Sequence, residues 1–353
     1  MKFLLVIATL FFQYSINAAN QDSGIDLTAP SKLAPLQTNE FNFALGSWQI
    51  EETNFSKDGK TSIRNGFSKI TFVNRGHGYI ENSTLVDESN ISDYTISFFA
   101  FGKVTQKWMM GRVNERREAV EMYDGVLENK MLVFKSAVRR SGGIDVTLIR
   151  ISYVQKKASD FAVIIEESID YGKSWVAVSE TIYNKTKRDL TSTFKNTRTE
   201  NDKRSKEQKQ FDFLIGDGKA TQSIQLPTGK WIKFPASASA ERVLNGKAIY
   251  EYNWYNVDKR NPETATSIIR IYNRNMRRWE TLFYSNRANT LFFFGGKKEG
   301  DRIVLHNFET HSENIFSKWI FYDIKEKGYR WFAESSTDGG KIFNKTWEIV
   351  VDF

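Results

Sequence analysis

From Trp48 onward the chain is written in short runs where apolar and polar residues alternate, with turn residues between them. A period of two marks strands that bury one face. In the C-terminal half the runs lie near 237–244, 247–255, 264–272, 277–285, 289–294, 301–309, 315–324, 328–335 and 342–352, with a shorter one near 222–226. Asn245-Gly246, Asn261-Pro262, Asn273 to Asn275, Gly295-Gly296 and Asp338-Gly339-Gly340 punctuate them. Comparable runs fill 48–183, and no stretch keeps a long helical period. This pattern predicts an all-β protein of antiparallel up-and-down barrels, about ten strands each, because closing a meander removes its exposed edges.

The pattern occurs twice. Phe41-Asn42-Phe43-Ala44-Leu45-Gly46-Ser47-Trp48 returns as Phe211-Asp212-Phe213-Leu214-Ile215-Gly216-Asp217-Gly218, at an offset of 170. Tyr79-Ile80-Glu81 returns as Ile249-Tyr250-Glu251, and Trp108 as Trp279 with one residue inserted. Arg150 then matches Lys318 and Glu166 matches Glu334, at an offset of 168. Last, Ser168 to Trp175 matches Ser336 to Phe343. Landmarks in one order at nearly constant spacing indicate two tandem copies of one domain. The division expected is a first barrel at 40–184, a linker at 185–209 rich in Lys, Arg, Asn, Thr and Glu, and a second barrel at 210–353.

The start adds a destination. Met1-Lys2, an apolar run from Phe3 to Phe12 and the small-residue stretch Ile16-Asn17-Ala18-Ala19 predict a secretory signal peptide at 1–18, with a lead-in at 19–39. The run is too short to cross a bilayer as a helix, and no integral span is expected after cleavage. An exported protein, periplasmic or extracellular, is the reading. The chain has no Cys, so a thiol nucleophile, a thiolate metal site and disulfides are all excluded. Its stability must come from its cores. The net charge of +8, from 50 basic and 42 acidic residues, is too modest to point to nucleic acid.

Few residues carry recognisable chemistry. The two S-x-D-x-G-x-x-[WF] segments suit hairpin turns: Asp170 and Asp338 accept backbone N–H groups, Gly172 and Gly340 take positive φ, and Trp175 and Phe343 fold over the turn. Hairpin arithmetic centred near 158 and 326 puts Arg150 opposite Glu166 and Lys318 opposite Glu334. Each pair either stays structural on an outer face or orients a ligand inside a barrel; the pattern leaves both open. Trp108 and Trp279, at matching places, are further candidates for pocket lining. Glu81 and Glu251 sit mid-strand beside aromatic residues, positions suited to an acid or base of raised pKa or to a partner for a basic side chain. His77, His306 and His311 form no ligand pattern, no metal is expected, and no phosphate loop, dinucleotide fingerprint or nucleophile elbow is present.

These motifs resemble two things. S-x-D-x-G-x-x-W is similar to the Asp-box of sialidases and other exported β proteins, which implies a structural turn; a propeller would repeat it once per blade. The ordered set resembles uncharacterised lipocalin-like domains that open with F-x-F-x-x-G-x-W and close with an E-x-S-x-D-G-G-x-x-W hairpin. Phe41, Phe43, Gly46 and Trp48 supply the opening; Glu334, Ser336, Asp338, Gly339, Gly340 and Phe343 supply the close; Tyr272 and Trp279 match a Y-n-W segment between them. The first copy departs at Tyr171 and the second at Gly218, which stands in for the opening Trp and implies an altered barrel mouth. The resemblance implies calycin-type barrels around a small, apolar or amphipathic ligand, with no cofactor. An exported binding protein is the first expectation. A cofactor-free isomerase, hydratase or cyclase using Glu81 or Glu251 with Arg150 or Lys318, or a carbohydrate-binding or carbohydrate-active protein, are the others.

Overall fold

The computed structural model describes residues 31–353 apart from 90–91, 104, 140–145, 158, 191–192, 194–203, 227, 256–263, 288, 308–315 and 327. The signal segment and residues 19–30 of the lead-in lie outside the described residues. The chain divides into two compact units, each built around one barrel.

The first barrel is the meander β1 (Gly46–Phe55), β2 (Thr61–Val73), β3 (Gly78–Val86), β4 (Ser92–Gly102), β5 (Lys107–Asn114), β6 (Ala119–Glu128), β7 (Met131–Arg139), β8 (Val146–Lys157), β9 (Asp160–Ser168) and β10 (Val176–Lys185). Each strand pairs with its sequence neighbours, and β1 closes on β10 from Trp48 opposite Lys185 to Asn54 opposite Ser179. The second barrel repeats this with β11 (Gly216–Gln225), β12 (Trp231–Val243), β13 (Ala248–Tyr255), β14 (Thr264–Asn273), β15 (Arg278–Ser285), β16 (Thr290–Glu299), β17 (Arg302–Asn307), β18 (Phe316–Lys325), β19 (Gly328–Ser336) and β20 (Asn344–Asp352). There β11 closes on β20. Two closed ten-strand antiparallel barrels are what the alternation predicts. Within each strand alternate side chains enter the interior: Ile149, Ile151 and Tyr153 of β8 join the first core, and Arg150 between them faces out.

The opening motif turns out to be a stopper. In the first copy Leu36–Ala44 forms a 3-10 turn that drops Phe41 into one end of the barrel, fully buried, edge-on to Tyr79 at 5.1 Å and Tyr153 at 5.3 Å. Its backbone and polar groups are met from the wall: Trp48 Nε1 donates to the Ala44 carbonyl at 2.8 Å, and Trp108 Nε1 to Glu40 Oε2 at 2.8 Å. In the second copy Phe211 enters the same way, and Trp279 Nε1 donates to Gln210 Oε1 at 3.1 Å. Gly46 and Gly216, at φ 135° and 124°, make the bend from stopper into strand. The change foreseen at Gly218 has a non-local reason. A Cβ there would come within 2.9 Å of Val351 Cγ1 and 3.0 Å of the Phe353 ring, so neighbours from the chain's end leave no room for a side chain where the first barrel has Trp48.

Of the stretch read as a linker, Leu190 is fully buried, and Glu207–Lys209 forms a 3-10 turn of the second stopper. Arg204 and Arg242 both bind Asp212, at 2.7 and 2.8 Å, and anchor that stopper. The basic residues at this end of the stretch therefore serve packing, a use that composition does not reveal.

The two S-x-D-x-G turns join β9 to β10 and β19 to β20. Asp170 Oδ1 accepts from the Ser168 hydroxyl at 2.7 Å and the Ser174 N–H at 3.0 Å, and its Oδ2 accepts from the Ser174 hydroxyl at 2.6 Å. Those donors, the Ser174 hydroxyl first, hold the Asp170 carboxyl down at about 2. Asp338 is held low by Ser336 and the N–H groups of Ile342 and Lys341. The serine hydroxyl also accepts from the glycine N–H, at 2.8 Å in the first turn and 2.9 Å in the second. Gly172 and Gly340 both stand at φ 85°. Ser168 is buried, so Ser168→Ala strands the Gly172 N–H and is expected to cost about 1–2 kcal/mol. A urea midpoint unchanged from wild type would refute this.

Candidate functional site

The cross-strand register puts Arg150 opposite Glu166 and Lys318 opposite Glu334, as the hairpin arithmetic requires. Their side chains lie on the outer surface. Arg150 meets Glu166 through Nε at 2.6 Å and Nη2 at 2.7 Å and packs under the Trp175 ring at 4.4 Å. Lys318 Nζ sits 3.4 Å from the centre of the Phe343 ring. The turn aromatics thus cover an outward-facing cation in each copy. These four charged residues stand on the far side of the wall from the interior, so Arg150 and Lys318 are not brought together with Glu81 and Glu251. Trp108 and Trp279 are interior, buried beneath the stoppers.

Glu81 and Glu251 are the candidates that face inward. Glu81 lies on β3, where Tyr79, Glu81, Ser83 and Leu85 share the inner face. It is nearly fully buried, and its Oε1 accepts from the Ser68 hydroxyl and the Tyr183 hydroxyl, each at 2.8 Å. Among the described residues its Oε2 has no hydrogen bond. Burial raises the Glu81 carboxyl above its usual range; the two hydroxyls and Arg112 offset this only in part. Tyr153 and Tyr183 are pushed well above the phenol range by burial first and by Glu81 second, so both remain neutral hydroxyl groups.

A second interior charge completes the site. Arg112 of β5 lies in register with Ser97 of β4, and Ser97 with Glu81 of β3. The three form one rung, with Glu81 and Arg112 two strand spacings, roughly 10 Å, apart at the backbone. Burial opposes the charge on Arg112, but Glu121, Tyr123, Tyr153 and Glu81 outweigh it and hold the guanidinium above its usual range. Among the described residues the Arg112 side chain makes no hydrogen bond and no ion pair within 4 Å. Nearer the open end Arg64 binds Glu52 through Nε at 2.9 Å and Asp93 at 3.3 Å, and Asn114 holds Asp93 at 2.8 Å. Glu81, Arg112, Arg64, Glu52 and Asp93 and an apolar wall of Ile50, Met110, Ile151 and Val163 line a cavity. Its volume is about 50 Å³, room for a few waters.

The second barrel is built on the same rung and filled. Glu251 registers with Ile268, and Ile268 with Phe283, where the first barrel has Glu81, Ser97 and Arg112. Its cation comes from elsewhere: Arg270, at most 1% exposed, binds Glu251 Oε2 through Nη1. Asn253 donates to the other carboxylate oxygen at 2.6 Å. Trp319 and Trp331 stand where the first copy has Ile151 and Val163, 5.4 Å apart and nearly perpendicular. About 20 Å³ is left, one water's room.

Arg112 and Arg270 went unforeseen. Strand alternation would have found them: Arg112 is four residues from Trp108 on one face of β5, and Arg270 two from Tyr272 on β14. Among the described residues no group of three or more His, Asp or Glu side chains could hold a metal; His311 lies outside them.

Fold and site together define a tandem-barrel protein with one polar, charged interior and one filled interior. No known protein family matches the chain, and no curated protein does. Two solved structures are similar in part. One is a protein of unknown function from the DUF3598 family of Nostoc punctiforme, with TM-score 0.26 and 8% identity over 90% of this chain and 99% of that one. The other is an S-type phycobiliprotein lyase from Guillardia theta, with TM-score 0.31 and 11% identity over 43% of this chain and 93% of that one. Likenesses this distant say nothing of ligand or reaction, which rest on the residues.

Proposed function

We propose that this is an exported binding protein of lipocalin-like, calycin type that holds a small amphipathic molecule in its first barrel. The observation that carries the reading is the Arg112 guanidinium: a cation inside a barrel, beside a cavity, with no hydrogen-bond partner among the described residues. The half-buried guanidinium borders the cavity, and a ligand that accepts its N–H groups there gains a charge-assisted hydrogen bond in a low-dielectric interior. The apolar wall opposite suits the rest of such a molecule. Export is supported by the pattern of Met1 to Ala19.

The second barrel supplies the test. Val163→Trp puts into the first barrel the residue that the second has at Trp331. Wild-type and variant full-length proteins are purified identically, extracted under denaturing conditions and compared by mass spectrometry. A compound recovered from the wild type and absent from the variant is the expected result. No compound from the wild type, or equal recovery from both, sinks the reading.

A further inference from the structure

We infer that the ligand of the first barrel is a monocarboxylate, seated over Ser97 with its carboxylate between Arg112 and Glu81. This rests on the binding role proposed above and names the chemistry that the site selects.

The argument begins with what lines the rung. Arg112 offers guanidinium N–H groups that have no acceptor among the described residues. Glu81 spends one carboxyl oxygen on Ser68 and Tyr183 and leaves Oε2 unbonded. Burial raises this carboxyl, and in its protonated form Oε2 is a donor. Between the two stands Ser97, whose small side chain leaves a gap where the second barrel has Ile268. Donors from both sides of one gap call for an acceptor with two oxygens, and the planar fork of a guanidinium matches a carboxylate.

The second barrel shows the same need met from within. There Glu251 is the acceptor and Arg270 the donor, bonded directly to each other, and Ile268 and Phe283 take the space. In the first barrel neither group answers the other, so an outside carboxylate completes the pair. Charge count limits the head group to one negative charge. Arg64 is engaged by Glu52 and Asp93, and Glu121 already stands near Arg112, so each added negative charge is disfavoured and a doubly charged phosphate more than a carboxylate.

The test is isothermal titration of the full chain with hexanoate, hexan-1-ol and hexylamine, which share a tail and differ in the head. Hexanoate is expected to bind about tenfold or more tightly than hexan-1-ol, the worth of one charge-assisted hydrogen bond. Arg112→Met should erase that preference, lowering the affinity for hexanoate about tenfold or more, to that for hexan-1-ol. Arg112→Lys should keep part of it, and circular dichroism checks that both variants fold. Hexan-1-ol or hexylamine binding as tightly as hexanoate, or an Arg112→Met variant that keeps the preference, overturns the carboxylate assignment and leaves the binding role standing. No binding of any of the three overturns both.

Discussion

Arg270→Ala is expected to destabilise the second barrel by about 3–5 kcal/mol, because it leaves the buried Glu251 carboxylate without its cation. Arg270 and Glu251 are 1% and 5% exposed, so solvent cannot take over the lost contact. The guanidinium also packs against the Phe211 and Phe321 rings, 5.4 and 5.5 Å from their centres, and truncation removes that contact with the stopper as well. The sharper result is the double variant Arg270→Met/Glu251→Gln. Removing both charges should recover most of the loss, since the desolvation penalty disappears with the attraction. Asn253 keeps a carbonyl oxygen to donate to in the glutamine. Urea unfolding of the full chain, followed through the tryptophans that crowd the second interior, measures both. A single-variant cost below about 1 kcal/mol would mean that the pair is not buried as described.

That pair also shows where sequence reasoning stopped. The strands, their turns and the duplication were legible because each follows from near neighbours: a period of two, a Gly or Asn at a turn, a motif repeated at fixed offset. Opposition of Arg150 to Glu166 was equally local, set by the short hairpin between them. The face those residues occupy was not. It depends on where the alternation falls relative to the closed barrel, which Ile149, Ile151 and Tyr153 decide only once β8 is known to bury that set. Glu81 stood out because Tyr79-Ile80-Glu81 recurs mid-strand as Ile249-Tyr250-Glu251 at the offset of the repeat. Arg112 did not, since among many basic residues its inward position is visible only by counting from Trp108. What stands beside Gly218 was hidden, because Val351 and Phe353, far away in sequence, occupy the space its side chain would need. Non-local compensation of that kind leaves no trace in a motif.

Glu81→Gln is expected to change the pH dependence of the first barrel's stability, and the sign follows from the raised carboxyl. The folded chain holds the Glu81 proton at pH values where the unfolded chain, with an ordinary glutamate near 4.3, has released it. In that window the folded state binds more protons than the unfolded one, so stability falls as pH rises. The fall begins near the unfolded value, has a slope of at most about 1.4 kcal/mol per pH unit, and ends once pH has passed the raised value. The substituted glutamine does not titrate, while the other ionisable groups are shared by both proteins. The variant should therefore gain on the wild type steadily from about pH 4 upward, after a constant difference in more acid solution. Its amide still donates and accepts, so Ser68 and Tyr183 keep a partner. Urea midpoints of both proteins from pH 4 to 8 measure the difference. A difference that stays flat, or that shrinks as pH rises, would mean that Glu81 is ionised in the folded barrel. The gap over Ser97 would then lie between a cation and an anion, and the donor pair on which the carboxylate site depends would be gone.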